Sequence, residues 1–219
     1  TTNVEWLQFG STNTNITATN FDKLDVSNLT CLSVCFSNLC GDYTGIFTGS
    51  TSLSSVNLGY NRGFSADTTN WTLGGIRYFC ATATPIYGTL CNNDVYQLRA
   101  GSTKISSNIE TDFDFTNAYW FEANNTCITG HLSGVTLNYG IYQFLVYGNS
   151  CICGSNEFAN YLFVNRKNWN RNYSQFNFFS IGDSPTGTYQ LGDLGTWSGS
   201  EWDLTEDQVN NLAAGCDYT

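Results

Sequence analysis

The stretch Leu29-Thr-Cys-Leu-Ser-Val-Cys-Phe36 decides the fold class, because apolar side chains alternate along it with a period of two. In an extended strand Leu32, Val34 and Phe36 point to one face, while Cys31 and Cys35 point to the other. This alternation is typical of a β-strand that covers a hydrophobic core with one face. The stretch therefore predicts an all-β protein in which these two cysteines lie opposite the main core.

Similar segments of β-branched and aromatic residues recur along the chain between clusters of Gly, Asn and Ser. About twelve such segments are present, more than the seven strands of an immunoglobulin sandwich. They are Val4–Phe9, Leu29–Phe36, Tyr43–Thr48, Ser55–Tyr60, Gly75–Ala81, Val95–Ala100, Ala118–Ala123, Gly134–Asn138, Ile141–Tyr147, Tyr161–Val164, Phe176–Gly182 and Thr188–Trp197.

Two local patterns predict how the segments connect. Val135–Tyr147 is predicted to be a β-hairpin, because Asn138-Tyr-Gly140 offers the positive φ that tight turns require. One short C-terminal helix is predicted from the capping box Thr205-Glu-Asp-Gln208, and Gly215 provides its stop.

We find no internal repeat, low-complexity tract or proline-rich linker in the sequence. A single domain over residues 1–219 is therefore expected, with an irregular insertion at about 82–117.

The charge balance excludes some partners. Eight basic and 18 acidic residues give a net charge of −10, which repels nucleic acid. No apolar run is long enough to span a membrane. The sequence contains no Met, from which we expect a chain that begins after a processing site.

Nine cysteines predict disulfide bonds in an oxidising compartment rather than zinc sites. Their spacings do not match the paired C-x₂-C ligands of zinc sites, and His131 is the only histidine. Four bridges would leave one cysteine over, either free and buried or bonded to another chain. The cysteines are Cys31, Cys35, Cys40, Cys80, Cys91, Cys127, Cys151, Cys153 and Cys216.

Five N-x-Ser/Thr sequons predict N-linked glycans, at Asn15, Asn28, Asn70, Asn124 and Asn172. Only 12% of the residues are charged, about half the usual share, so glycans would supply the missing solubility. Cysteines and sequons together predict a secreted or cell-surface glycoprotein.

Several segments resemble the laminin-G-like and pentraxin-like jelly rolls, which belong to the concanavalin type. Phe21–Ser27 followed by Leu29–Phe36 looks like their opening strand pair, and His131–Gly148 is similar to a central strand pair. Gly192-Asp-Leu-Gly-Thr-Trp197 and Leu204–Leu212 resemble their closing motifs. The resemblance implies a disulfide-stapled, two-sheet antiparallel jelly-roll sandwich that binds glycans, lipids or proteins.

Cofactors are not expected from the residues themselves. The resemblance would allow calcium, but the paired acidic run by which pentraxins hold it is missing after Phe179-Ser-Ile-Gly182, so no residue is assigned to a metal. Cys151-Ile-Cys-Gly154 is also similar to the C-x-C-G of WSC glycan-binding modules, whose other cysteines are missing here.

Two clusters could carry function. Arg166, Lys167, Trp169 and Arg171 form the only basic cluster of the sequence and are our candidate contact patch.

Glu201-Trp-Asp-Leu-Thr-Glu206 fits the E-x-D-x-x-E pattern of a jelly-roll glycosidase class, with Glu201, Asp203 and Glu206 as its carboxylates. Because this motif runs into the capping box, we interpret Glu206 as a helix first-turn acid instead. His131 could act as the base of a Ser/His/Asp or Cys/His arrangement, but we interpret it as a hydrogen-bonded residue at the start of a strand.

These features favour a non-enzymatic domain for ligand binding or adhesion, directed at an extracellular glycan or protein. One alternative is a structural subunit of an extracellular filament or coat, which would use the odd cysteine for a homo-oligomer. The second is a jelly-roll glycoside hydrolase.

Overall fold

The computed structural model of the chain is a parallel β-solenoid. It describes residues 5–9, 25–47, 50–71, 75–90, 96–154, 158, 161–162 and 165. For 175–177, 189–190, 195–197 and 202–204 it describes the backbone.

The main sheet has nine short strands, in the order β1-β2-β4-β6-β8-β10-β12-β14-β15. Neighbours from β1 to β14 pair in parallel, and only β15 joins antiparallel. The strands are β1 (Trp6–Gln8), β2 (Cys31–Ser33), β4 (Ser55–Asn57), β6 (Tyr78–Cys80), β8 (Gln97–Arg99), β10 (Trp120–Glu122), β12 (Gln143–Leu145), β14 (Gln175–Asn177) and β15 (Tyr189–Gln190).

A second parallel sheet has the order β3-β5-β7-β9 and takes one strand from each of four successive turns. Its strands are β3 (Cys40–Asp42), β5 (Gly63–Asp67), β7 (Ile86–Gly88) and β9 (Lys104–Ile105). β11 (Thr129–His131) and β13 (Cys151–Cys153) form a parallel pair, with the 3-10 helix η1 (Leu132–Gly134) after β11. β16 (Gly195–Trp197) and β17 (Trp202–Leu204) pair antiparallel.

Each turn of the solenoid repeats one apolar spacing. From β2 to β12, register partners along the main sheet lie 24, 23, 19, 23 and 23 residues apart. One turn reads Leu53-x-x-Val56-x-Leu58-x-x-Asn61, and the next has Ile76, Phe79, Ala81 and Thr84 at the same offsets. The expectation of no internal repeat is therefore wrong.

The core is a set of apolar columns that run from turn to turn. The middle residue of each main-sheet strand from β2 to β12 is buried and stacks on its register partner in the next turn. Phe121 and Phe144 lie with ring centroids 5.6 Å apart, and Phe115 packs edge-on against Phe121 at 4.9 Å. Because each turn is covered by its neighbours, turns stabilise one another rather than folding singly.

Buried polar side chains hold the bend that follows each main-sheet strand. Asn61 Oδ1 accepts hydrogen bonds from the backbone N–H groups of Ser37 and Leu39, at 3.0 and 3.3 Å. Its Nδ2 donates to the carbonyls of Val34 and Leu58, at 2.7 and 2.8 Å. Asn61 thereby satisfies backbone groups of two successive turns that burial would otherwise leave unpaired.

Four turns further along, Asn149 has the same role. Its Oδ1 accepts from the Thr126 N–H at 2.9 Å, and its Nδ2 donates to the carbonyls of Ala123 and Val146. In the turns between, Thr84, Thr103 and Thr126 donate their hydroxyls to nearby carbonyls. The position is therefore polar in each of these turns, and it is buried except at Thr126, which is partly buried.

The jelly-roll prediction is wrong, and the laminin-G-like and pentraxin-like resemblance fails with it. A jelly roll pairs its strands antiparallel in two sheets, whereas here every neighbouring pair from β1 to β14 in the main sheet and every pair of the second sheet is parallel. The predicted hairpin is wrong too, since β12 pairs in parallel with β10 and no strand covers Val135–Asn138. The predicted helix from Thr205 lies outside the described residues. The segment 82–117, expected as an insertion, carries β7, β8 and β9.

The disulfide prediction is also wrong for the described part of the chain. All seven cysteines described there are free thiols, and Cys91 and Cys216 lie outside it. Cys31 and Cys80 lie in β2 and β6 of the main sheet, which are separated by β4, and Cys40 lies in β3 of the second sheet. The free, described cysteines are Cys31, Cys35, Cys40, Cys80, Cys127, Cys151 and Cys153.

Candidate binding face of the main sheet

Side chains alternate between core and solvent along each main-sheet strand. In β10, Phe121 is buried while Trp120 and Glu122 point outward and are partly exposed. Neighbouring parallel strands are in register, so their outward residues line up across the sheet. We call this outward surface, over β4 to β12, the outer face.

A row of tyrosines runs along the edge of the outer face. Tyr96, Tyr119 and Tyr142 each precede a strand of the main sheet by one residue, in three successive turns. Their rings stack with centroids 5.6 and 5.7 Å apart and planes inclined by 12° and 16°. The exposed Tyr78 meets Tyr96 edge-on at 5.3 Å. We call these four residues the tyrosine row.

Two arginines pack on the aromatic rings of this face. The Arg77 guanidinium lies 5.2 Å from the ring centroid of Tyr96, and that of Arg99 lies 4.8 Å from Trp120. Arg99 Nε also contacts Glu122 Oε2 at 3.1 Å, across the β8–β10 register pair. The side chains of Arg99 and Glu122 are 33% and 14% exposed, so this partly buried pair also contributes to the stability of the sheet.

The predicted glycosylation sites differ in their exposure to solvent. Asn28 and Asn70 are exposed, whereas Asn124 is only 7% exposed and its Nδ2 donates to the Tyr147 hydroxyl at 3.2 Å. Asn15 and Asn172 lie outside the described residues.

His131 acts as the cap of η1. Its Nδ1 accepts from the backbone N–H of Ser133 at 3.3 Å and lies 2.6 Å from the Ser133 hydroxyl. The backbone N–H of His131 in turn donates to Glu110 Oε2 at 2.9 Å. These contacts are local and close the turn between β11 and Val135.

Other predicted site residues lie outside what the structure describes. These are the contact patch of Arg166, Lys167, Trp169 and Arg171, and the carboxylates of Glu201 and Glu206. Asp203 lies in β17, paired with Thr196.

Sequence reasoning missed the tyrosine row. Its signal is an aromatic residue at one fixed place in three consecutive turns, two residues before the buried Leu98, Phe121 and Phe144. The signal becomes visible only when the turns are aligned with one another. A search for strands one at a time cannot find it.

Two hollows lie away from the outer face. One, of about 360 Å³, lies between the loops 109–116 and 134–139 and includes the carboxylates of Glu110 and Asp114. Both already accept internal hydrogen bonds, from His131 and Thr116. The other is a wide depression of about 600 Å³ near Arg62 and Lys104.

Within the described residues, no group of three His, Cys, Asp or Glu side chains could hold a metal ion. Calcium was implied only by the jelly-roll resemblance and loses that basis. Nor does any helix described here have the length and apolar character needed to cross a membrane.

No family model, no curated protein and no solved structure matches the chain. Its class therefore rests on its own geometry, which is that of a parallel β-solenoid. The spacing of its turns resembles the L-x-x-L-x-L-x-x-N-x-L pattern of leucine-rich repeats, with other apolar residues at many of the Leu positions.

Proposed function

We propose that the chain is a non-enzymatic protein-binding module whose contact surface is the outer face of the main sheet. The observation that carries the proposal is the tyrosine row with Trp120, Arg77 and Arg99 beside it. Tyr, Trp and Arg are the residues most enriched among those that dominate binding energy at protein interfaces. Solenoids commonly bind partners over such extended sheet surfaces.

The ring geometry favours a protein partner over a glycan. A sugar packs on the open face of an aromatic ring, but both faces of Tyr119 are turned toward Tyr96 and Tyr142. One face of Trp120 is covered by Arg99. Tyr119, at the centre of the row, therefore offers its ring edge, which suits the mixed apolar and polar contacts of a protein interface.

The experiment compares proteins captured by three forms of the purified chain from extracts of the source organism. The wild type is set beside Tyr119→Ser/Tyr142→Ser and the control Tyr87→Ser, which changes an exposed tyrosine of the second sheet. We expect a group of proteins held by the wild type and the control but lost, by about tenfold or more, from the double variant.

Each captured protein is then made pure and its binding to the three forms is measured by calorimetry. Equal binding by all three forms would disprove the assignment of the face. A glycan array is probed in parallel, and glycan binding lost only in the double variant would change the ligand class from protein to carbohydrate.

We further propose that the chain is secreted or displayed at the cell surface and carries N-linked glycans. The support is now the sequons alone, and the exposed Asn28 and Asn70 are the sites that a glycan could occupy on the folded chain. The mass of the protein secreted by a eukaryotic host, before and after enzymatic deglycosylation, tests this. An unchanged mass would contradict it.

The two alternatives gain no support from the described residues. The filament subunit depended on a cysteine left over from disulfides that the described part of the chain lacks. The glycosidase depends on Glu201 and Glu206, which lie outside the described residues.

A further inference from the structure

We propose that Arg62 and Lys104 form a binding site for a phosphate or sulfate ester. The site lies where β5 and β9 of the second sheet begin, separate from the outer face. Of the four cationic side chains described, Arg77 and Arg99 pack on the outer face. The other two, Arg62 and Lys104, line one depression.

The solenoid places the two cations at equivalent positions of different turns. Arg62 directly precedes β5, Pro85 directly precedes β7, and Lys104 begins β9. Arg62, Pro85 and Lys104 directly follow Asn61, Thr84 and Thr103, the polar residues that hold the same bend in three successive turns. Beyond the bend, the sheet register pairs Lys104 with Tyr87 of β7 and Tyr87 with Asp67 of β5. Both cationic side chains are long and line the same depression, so both can reach an anion bound in it.

The residue between the cations keeps the site open. Pro85 has a short, rigid side chain, and Ala83 beside it is smaller still, so neither fills the space between Arg62 and Lys104. The depression has a volume of about 600 Å³, well above what a bare oxyanion needs and within the range of pockets for small organic ligands. An ester with an organic part fits this volume better than a free ion.

The polarity of the lining also selects an anion. Polar side chains come from Ser102, Thr103 and Asn125, and no carboxylate is among the described residues that line the depression. In the described part of the chain neither Arg62 nor Lys104 forms an ion pair, the one salt bridge there being Arg99–Glu122. In a chain with a net charge of −10, two neighbouring unpaired cations attract a compact anion strongly.

The test is a ¹⁵N–¹H NMR titration of the full chain with inorganic phosphate, inorganic sulfate, glucose 6-phosphate and glucose 6-sulfate. Sodium chloride at matched ionic strength corrects for screening. We expect saturable shifts confined to the amides around Ala83, Ser102 and Lys104, with at least one ester binding more tightly than its inorganic ion. The arm that binds most tightly identifies phosphate or sulfate as the recognised group.

Two double variants decide whether the cations are responsible. Arg62→Gln/Lys104→Gln should raise the Kd about tenfold or more, whereas the charge-conserving Arg62→Lys/Lys104→Arg should stay within about threefold of the wild type. Unchanged amide shifts at the core residues verify that both variants are folded. Linear, unsaturated shifts, shifts spread over the surface, or equal affinity in the neutral variant would overturn the proposal.

Discussion

Asn61 shows how much of the fold depends on a single polar side chain. It lies in the interior and makes four hydrogen bonds to backbone groups of two turns. In a sequence rich in Asn, such a residue is naturally interpreted as part of an exposed turn. Its burial follows from the stacking of turns, which the sequence shows only after the repeat has been recognised.

Replacing Asn61 by Ala should lower the free energy of unfolding by about 3 kcal/mol or more. The substitution leaves buried N–H and C=O groups without partners, at about 1–3 kcal/mol each, and water can reach only some of them. Urea denaturation followed by circular dichroism measures the loss. The control is Asn28→Ala, at an exposed position, which should change stability by no more than about 0.5 kcal/mol. Equal losses in the two variants would contradict the assigned role.

At the scale of elements, the sequence located strands but not their partners. The segments Leu29–Phe36, Ser55–Tyr60, Gly75–Ala81 and Ala118–Ala123 each contain a main-sheet strand. Alternation reports which face of a strand is buried, and it is the same in parallel and antiparallel sheets. The local pattern therefore could not exclude a jelly roll.

The hairpin prediction failed for a related reason. The turn itself is present, since Asn138 Oδ1 accepts from the Gly140 N–H at 3.0 Å and the Asn138 carbonyl accepts from Ile141 at 2.9 Å. The chain that leaves it pairs with β10 of the previous turn instead of folding back on itself. A turn signal fixes a local bend, whereas strand pairing depends on which other strands of the sheet are available as hydrogen-bonding partners.

Four short turns share an Asp-x-Ser/Thr motif that predicts acid sensitivity. In each, the hydroxyl or backbone N–H two residues on donates to the carboxylate, and these hydrogen bonds lower the pKa of the carboxyl. At Asp114, for example, the Thr116 hydroxyl lies 2.6 Å from Oδ1. The carboxyls with a lowered pKa are those of Asp25, Asp42, Asp67 and Asp114.

A carboxyl with a lowered folded-state pKa stabilises the fold above its ordinary pKa of 3.8, and this contribution is lost as the pH falls through the lowered value. We expect a variant with all four Asp changed to Asn to lose less stability than the wild type between pH 7 and about pH 2.5. Asn keeps an acceptor for the backbone N–H but does not titrate. Urea denaturation at both pH values tests this, and an identical acid dependence would refute it.

At the scale of the whole molecule, the repeat was missed because it is irregular in length and composition. Register partners are separated by 19 residues in one turn and 24 in another. The column of buried strand residues changes from Leu32 to Val56 to Phe79, which hides the self-similarity from direct inspection. The outer face and the site at Arg62 and Lys104 exist only because turns stack, so neither could be predicted before the repeat was known.

The measurement that tests the central claim most directly is a set of interstrand backbone NOEs in the main sheet. A parallel solenoid places Val56 between Leu32 and Phe79, and Phe121 between Leu98 and Phe144. We predict contacts between α-protons and amide protons across these pairs, in the pattern of parallel strands. Strong contacts between facing α-protons, which are typical of antiparallel pairs, or contacts that join β12 to Val135–Asn138 would contradict the solenoid.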